Sequence, residues 1–135
     1  MGRVFFNTRK NIVDVAAAKT LIASDSGSVF NINQASAYEI TLPLMSTIDK
    51  GWNATFVIGT VAANAVTIAN NTAEDSIVGG ISGADGGAAT HAETAVDEIV
   101  FISGAVLGDT CTIIANGANY FVSGIAGDAA HITVS

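Results

Sequence analysis

The 135 residues are enough for one domain with its own core, and the composition excludes a disordered chain, because half of the residues are hydrophobic and 13% are charged. The net charge of −7 disfavours binding to nucleic acid, and the single cysteine excludes an internal disulfide framework. No apolar run reaches membrane-spanning length, and the first residues lack a signal-peptide core. We therefore expect synthesis in the cytoplasm and no membrane partner.

The chain begins with a basic segment. Four of the five basic residues lie among the first nineteen residues, whereas from residue 20 onward Lys50 alone faces eleven acidic residues. We interpret residues 1–18 as an N-terminal arm and residues 19–135 as the folded domain. A basic arm on an acidic body favours docking on an acidic neighbour, although a solvated tail would show the same charges.

The arm also carries aromatic residues beside its basic ones, which is the usual composition of interface anchors. Its apolar residues have no place in the alternating pattern of the strands that follow. We therefore predict that the arm contacts a partner or a neighbouring subunit. The alternative is that the arm supplies the first strand of the domain. The predicted interface residues are Arg3, Phe5, Phe6, Arg9 and Lys10.

After the arm, short alternating runs are broken by Gly, Asn, Asp and Ser about every ten residues, a rhythm typical of a sandwich or barrel. Residues 29–33, 38–44 and 52–59 each place apolar side chains on one face of a strand. Further strands are expected at 19–22, 65–69, 76–81, 98–102, 109–115, 120–125 and 131–134. The pattern thus predicts an all-β protein with about ten short strands, folded as a single β-sandwich or jelly-roll-like domain.

The stretch 70–95 differs from its surroundings, because Asn, Gly, Asp and Ala dominate it. We expect a long surface excursion there, with one short strand. The alternating phase of the strands also predicts which side chains form the core. The predicted core residues are Phe30, Ile32, Ile40, Leu42, Phe56, Ile58, Val66, Ile68, Ile99, Phe101, Cys111, Ile113, Tyr120, Val122, Ile132 and Val134.

Chemistry-bearing residues are few. His91, Glu93 and Asp97 are the best candidates for metal ligands, but acidic residues near a glycine-rich loop are usually solvated. Cys111 alternates in phase with Ile113 and is therefore expected in the core rather than in a catalytic site. We predict no catalytic, cofactor or metal site, and hence a protein that is not an enzyme.

Two segments resemble a known class of proteins. Residues 20–30 (TLIASDSGSVF), followed by 40–43 (ITLP), Gly51 and Phe56, resemble small structural proteins of tailed bacteriophages. Residues 108–124 (GDTCTIIANGANYFVSG) resemble the closing hairpin of the same class. Together these segments point to the capsid decoration, or cement, proteins.

This resemblance implies a β-sandwich or jelly-roll-like domain, commonly a homotrimer, that binds the major capsid protein on the outside of the head without a cofactor. A small acidic β domain with a distinct arm and no active site also suits that role on physical grounds. We therefore expect a structural protein of the virion that stabilises the capsid. A phage tail or fibre component, or a receptor- or glycan-binding module that uses Trp52 and Tyr38, is the alternative.

Overall fold

The computed structural model describes residues 9–71, 76–87 and 90–135. Within them the protein is an all-β sandwich of a seven-stranded and a five-stranded sheet, whose only helices are single 3-10 turns. The twelve strands are β1 (Ile12–Val15), β2 (Lys19–Thr20), β3 (Ser28–Asn33), β4 (Tyr38–Thr41), β5 (Asn53–Thr60), β6 (Val66–Ala69), β7 (Ile77–Gly83), β8 (Thr90–Val96), β9 (Glu98–Phe101), β10 (Thr110–Ala115), β11 (Tyr120–Ala126) and β12 (Ile132–Val134).

The first six strands alternate between the two sheets. Strands β1, β3 and β5 lie side by side and parallel in the larger sheet, and β2, β4 and β6 do the same in the smaller one. The chain therefore winds as a flattened spiral. Ile12 lies beside Val29, and Val29 lies beside Thr55, so successive turns contain 17 and 26 residues. Turns of such unequal length leave no internal repeat in the sequence.

The second half of the chain completes both sheets. Strand β10 pairs antiparallel with β5 and with β11, and β11 continues to β7 and the edge strand β8, so that the larger sheet has the order β1-β3-β5-β10-β11-β7-β8. Strands β9 and β12 extend the smaller sheet beyond β6, giving the order β12-β9-β6-β4-β2. Strand β10 is thus the element that joins the spiral to the second half of the larger sheet.

The core lies between the sheets and contains all sixteen of the predicted core residues, which confirms the strand phases. Phe30 stacks on Phe56 with 5.3 Å between ring centroids, and Trp52 meets Tyr120 edge-on at 6.0 Å. Such aromatic pairs contribute about 1 kcal/mol beyond the area that they bury. Cys111 is also buried, and burial raises the pKa of its thiol to about 12, so the thiol is protonated at neutral pH.

The prediction of a surface excursion over residues 70–95 was wrong, because β7, where one short strand was expected, and β8 are both strands of the larger sheet. Strands β1 and β8, which were not predicted, bring the number of strands from ten to twelve. The glycines in this stretch serve close packing rather than flexibility. A Cβ atom on Gly79, whose φ is +123°, would lie 2.2 Å from the carbonyl oxygen of Val122. One on Gly80 would lie 2.3 Å from the carbonyl oxygen of Thr90.

Part of the segment predicted as an arm is an edge strand. Residues Ile12–Val15 form β1, which pairs in parallel with β3, and Val15 is buried. The Tyr38 hydroxyl donates a hydrogen bond of 2.7 Å to the carbonyl oxygen of Val15. The alternative, that the arm supplies the first strand of the domain, is therefore correct for these four residues.

This placement of β1 predicts different results from two N-terminal deletions. Removal of residues 1–10 retains β1 and should leave the melting temperature nearly unchanged. Removal of residues 1–15 also removes Val15 from the core and exposes the edge of β3, which should lower the melting temperature by roughly 5–10 °C. Thermal unfolding followed by far-ultraviolet circular dichroism measures both. An equal loss of stability in the two truncated proteins would contradict the assignment of β1 as the structural part of the arm.

Candidate functional site

The residues predicted to form the arm interface are placed only in part. Arg9 and Lys10 are exposed and directly precede β1, where the carbonyl oxygen of Asn11 accepts a hydrogen bond of 2.8 Å from the Val29 amide. They therefore lie at the end of the sandwich at which β3 begins. The other predicted interface residues, Arg3, Phe5 and Phe6, lie outside the described residues.

The outer face of the larger sheet is almost free of charge. Its five central strands, β3, β5, β10, β11 and β7, contain no charged residue and no histidine. In this sheet, acidic and histidine side chains occur only on the two edge strands, as Asp14 on β1 and as His91 and Glu93 on β8. A sheet surface without charged side chains costs less to desolvate than a charged one, which favours contact with another protein.

Apolar side chains project from this outer face, which we call the sheet face. Ile114 on β10 and Phe121 on β11 are paired across the two strands, and each is about half exposed. Both side chains point outward, as the alternation of their strands predicts. Beside them Thr55 and Thr112 share a hydrogen bond of 3.1 Å between their hydroxyl groups. The sheet face thus combines exposed hydrophobic side chains with uncharged polar ones.

A second apolar surface lies at the end of the sandwich formed by residues 102–109 and 127–131, which we call the upper end. Leu107 is 70% exposed, and Val106 is exposed beside it. Ile125, which points outward near the end of β11 in phase with Phe121, is exposed where the sheet face meets this end. These three side chains, the upper patch, border a groove of about 260 Å³. Three exposed aliphatic side chains around one groove make this end a candidate contact surface.

The loop that carries the upper patch is fixed by a buried carboxylate. Asp109 accepts hydrogen bonds of 2.8 Å from the amides of Val106 and Gly127, and its Oδ2 atom lies 2.8 Å from Nδ1 of His131. Asp109 is 3% exposed, so these contacts replace its hydration. The Asp109–His131 pair therefore has a structural role: it joins the β9–β10 loop to the segment after β11.

A third apolar surface lies at the opposite end, formed by residues 21–27 and 43–52, which we call the lower end. Ile22 is 58% exposed and Leu44 is 38% exposed, and they line a groove of about 360 Å³. The indole of Trp52 lies beneath and donates a hydrogen bond of 3.2 Å to the carbonyl oxygen of Ile22. Because β5 separates the ends with eight residues, the lower groove and the upper patch are roughly 25 Å apart.

The candidate metal ligands do not converge. Among residues 9–71, 76–87 and 90–135 no group of three or more His, Cys, Asp or Glu side chains is arranged to hold a metal ion. Cys111, considered above for a catalytic site, is buried in the core, and the ring of His131 contacts Asp109.

Sequence reasoning missed the upper patch and the pair that supports it. A signal was present, because between residues 99 and 127 the only charged residue is Asp109. A stretch this poor in charge cannot be entirely solvated surface, and a lone aspartate within it is expected to be buried and paired. The alternation of the strands did predict that Ile114 and Phe121 face outward, and this is confirmed.

No protein-family model matches the sequence, and no curated protein matches it either. In the described part of the chain, no helix has the length and hydrophobicity needed to cross a membrane.

The contacts of Asp109 predict that its loss is costly. Replacement by Ala leaves two backbone amides and His131 without their acceptor in a buried place, and should lower the free energy of unfolding by about 3 kcal/mol. The matched control is Asp128→Ala, because Asp128 is exposed and accepts one hydrogen bond, from Ala130. That control should cost about 1 kcal/mol. Urea unfolding measures both, and equal losses would contradict the structural role of Asp109.

Proposed function

We propose that this chain is a non-enzymatic structural protein of a tailed bacteriophage that binds the major capsid protein on the outer surface of the head and stabilises the capsid. The uncharged sheet face is the observation that supports the proposal most strongly. Its composition favours contact with a protein, and its five central strands carry no charged residue and no histidine. The resemblance of residues 20–56 and 108–124 to phage decoration proteins supports the same conclusion. Self-association, with a homotrimer as the expected form, is part of this proposal.

The dimensions of the sheet face suit such a contact. Five strands about 4.8 Å apart, each about six residues long, present an area of roughly 400 Å². A standard protein interface takes about 800 Å² from each partner. The sheet face therefore supplies about half of one interface, and further contacts must complete it.

The N-terminal arm is the proposed source of those further contacts. Arg9 and Lys10 lie beside the edge of the larger sheet, so a partner that covers the sheet face also comes within reach of them. An acidic surface on that partner would be drawn to these two cations, which govern the approach and its salt dependence. Binding of many copies at symmetric positions would let a modest interface on each copy stabilise the whole shell.

The structure weakens the alternative of a glycan-binding module that uses the two aromatic residues named above. Trp52 is 4% exposed, and its ring packs against Tyr120. Tyr38 is partly buried, and its hydroxyl is engaged with Val15. The Trp52 ring therefore presents no open face on which a sugar could stack.

Binding to empty heads of the phage that carries the gene tests the proposal, with co-sedimentation as the measurement. Phe121→Ser and Ile114→Ser remove apolar contacts from the sheet face and should each weaken binding by about tenfold or more, since a central interface side chain contributes more than 1 kcal/mol. Val61→Ser is the matched control. Val61 is 50% exposed, but it lies in the β5–β6 connection rather than on the sheet face.

Two outcomes would overturn the proposal. One is an absence of binding to heads while the protein binds tails or host cells, which would favour a tail or receptor-binding component. The other is head binding that both sheet-face variants retain at full strength, which would show that another surface makes the contact.

A further inference from the structure

We propose that the two ends of the sandwich bind each other in neighbouring copies, so that the upper patch of one molecule docks in the lower groove of the next. The occupant of the lower groove is thus a second copy of this chain. This inference rests on the self-association included in the proposed function and names the two surfaces that produce it. It is tested on free protein, so its failure and the failure of capsid binding can be told apart.

The upper patch has the form of a projecting anchor. Leu107 is the most exposed large hydrophobic residue among those described, and Val106 stands beside it. The loop cannot relax to hide them, because the Asp109 carboxylate holds the Val106 amide and Gly108 adopts a φ of +92°. An apolar side chain that is held in place before binding loses little conformational entropy when it docks.

The lower groove has the complementary form. It is concave and mainly apolar, with Ile22 and Leu44 on its walls and Leu21 and Pro43 among its lining residues. It lies at the opposite end of the molecule, so one copy can use its upper patch and its lower groove at the same time.

Charge decides between a head-to-tail contact and a contact between like ends. Asp85 and Asp128 lie next in sequence to residues that line the upper groove, whereas the Lys and Arg residues of the described chain all lie elsewhere. Two upper ends brought together would oppose carboxylates with no cation between them. The lower end has Lys50 beside Asp49 in the pocket next to the apolar groove, and Arg9 and Lys10 lie at the same end before β1. The Asp25 carboxylate there is engaged by the Ile22 amide. This end, unlike the upper one, therefore sets cations beside its carboxylates.

A contact between two different surfaces has a defined consequence for assembly. It cannot stop at a symmetric dimer, because each added copy presents a further free end. It closes into a ring when the rotation between copies divides a full turn, as in the expected trimer, and otherwise it extends. The two surfaces, rather than the sheet face, would then set the oligomeric state, and the sheet face would stay available for the capsid.

A mixing experiment with two variants tests this arrangement. Leu107→Asp disables the upper patch, and Ile22→Asp disables the lower groove, with Leu44→Asp as a second lower-end variant. Each variant alone should be monomeric by light scattering on a sizing column, while the wild-type chain assembles. An equimolar mixture of Leu107→Asp with Ile22→Asp should form a one-to-one dimer, because one intact upper patch and one intact lower groove remain. Ile114→Asp, on the sheet face, is the control and should assemble as the wild type does.

Circular dichroism establishes that each variant is folded before the mixture is made. A monomeric wild-type chain at concentrations up to about 100 µM, where even weak contacts are populated, would overturn the proposal. So would assembly of Ile22→Asp and Leu44→Asp at wild-type strength, since that result would place the contact between like ends. Failure of the one-to-one mixture to associate, with wild-type assembly intact, would also overturn it.

Discussion

Each strand in the first half of the chain must bury one face against the opposite sheet, because the chain passes from one sheet to the other after every strand. This constraint produces the strict alternation of buried and outward side chains on β3 and β5. It also requires contacts that hold the sheets together without covalent links. Tyr120 supplies one: its ring packs against Trp52, and its hydroxyl donates a buried hydrogen bond of 2.7 Å to the carbonyl oxygen of Pro43.

The outward side chains are not subject to this constraint. On the larger sheet their composition differs from that of an ordinary solvated surface. Solvated sheets usually carry charged residues on the open face, which also prevents aggregation. Here the five central strands carry none. The chain has a net charge of −7 and is therefore rich in acidic residues. Their absence from this face is thus specific to the face and does not reflect the composition of the whole chain. The proposed contact with a partner would account for it, and the proposed role of a capsid decoration protein would supply such a partner.

The local pattern of the sequence was sufficient for the core, because the period of two in runs such as 29–33 depends on neighbouring residues alone. It was insufficient for partner choice between strands: nothing in β1 or β3 shows that the pair is parallel. A strand was expected at 76–81, but its place inside the larger sheet was not, since Gly79 and Gly80 are typical of a surface loop and here permit the close approach of β11 and β8. The upper patch depends on contacts that the Asp109 carboxylate makes with the Gly127 amide and the His131 ring, 18 and 22 positions away, which no local pattern reveals.

A reconstruction by electron cryomicroscopy of phage heads decorated with the protein tests the central claim most directly. The account predicts that the outer face of β10 and β11 lies against the major capsid protein, with Phe121 and Ile114 covered, and that the five-stranded sheet faces solvent. A decorated head in which the five-stranded sheet contacts the shell and Phe121 is exposed would contradict it.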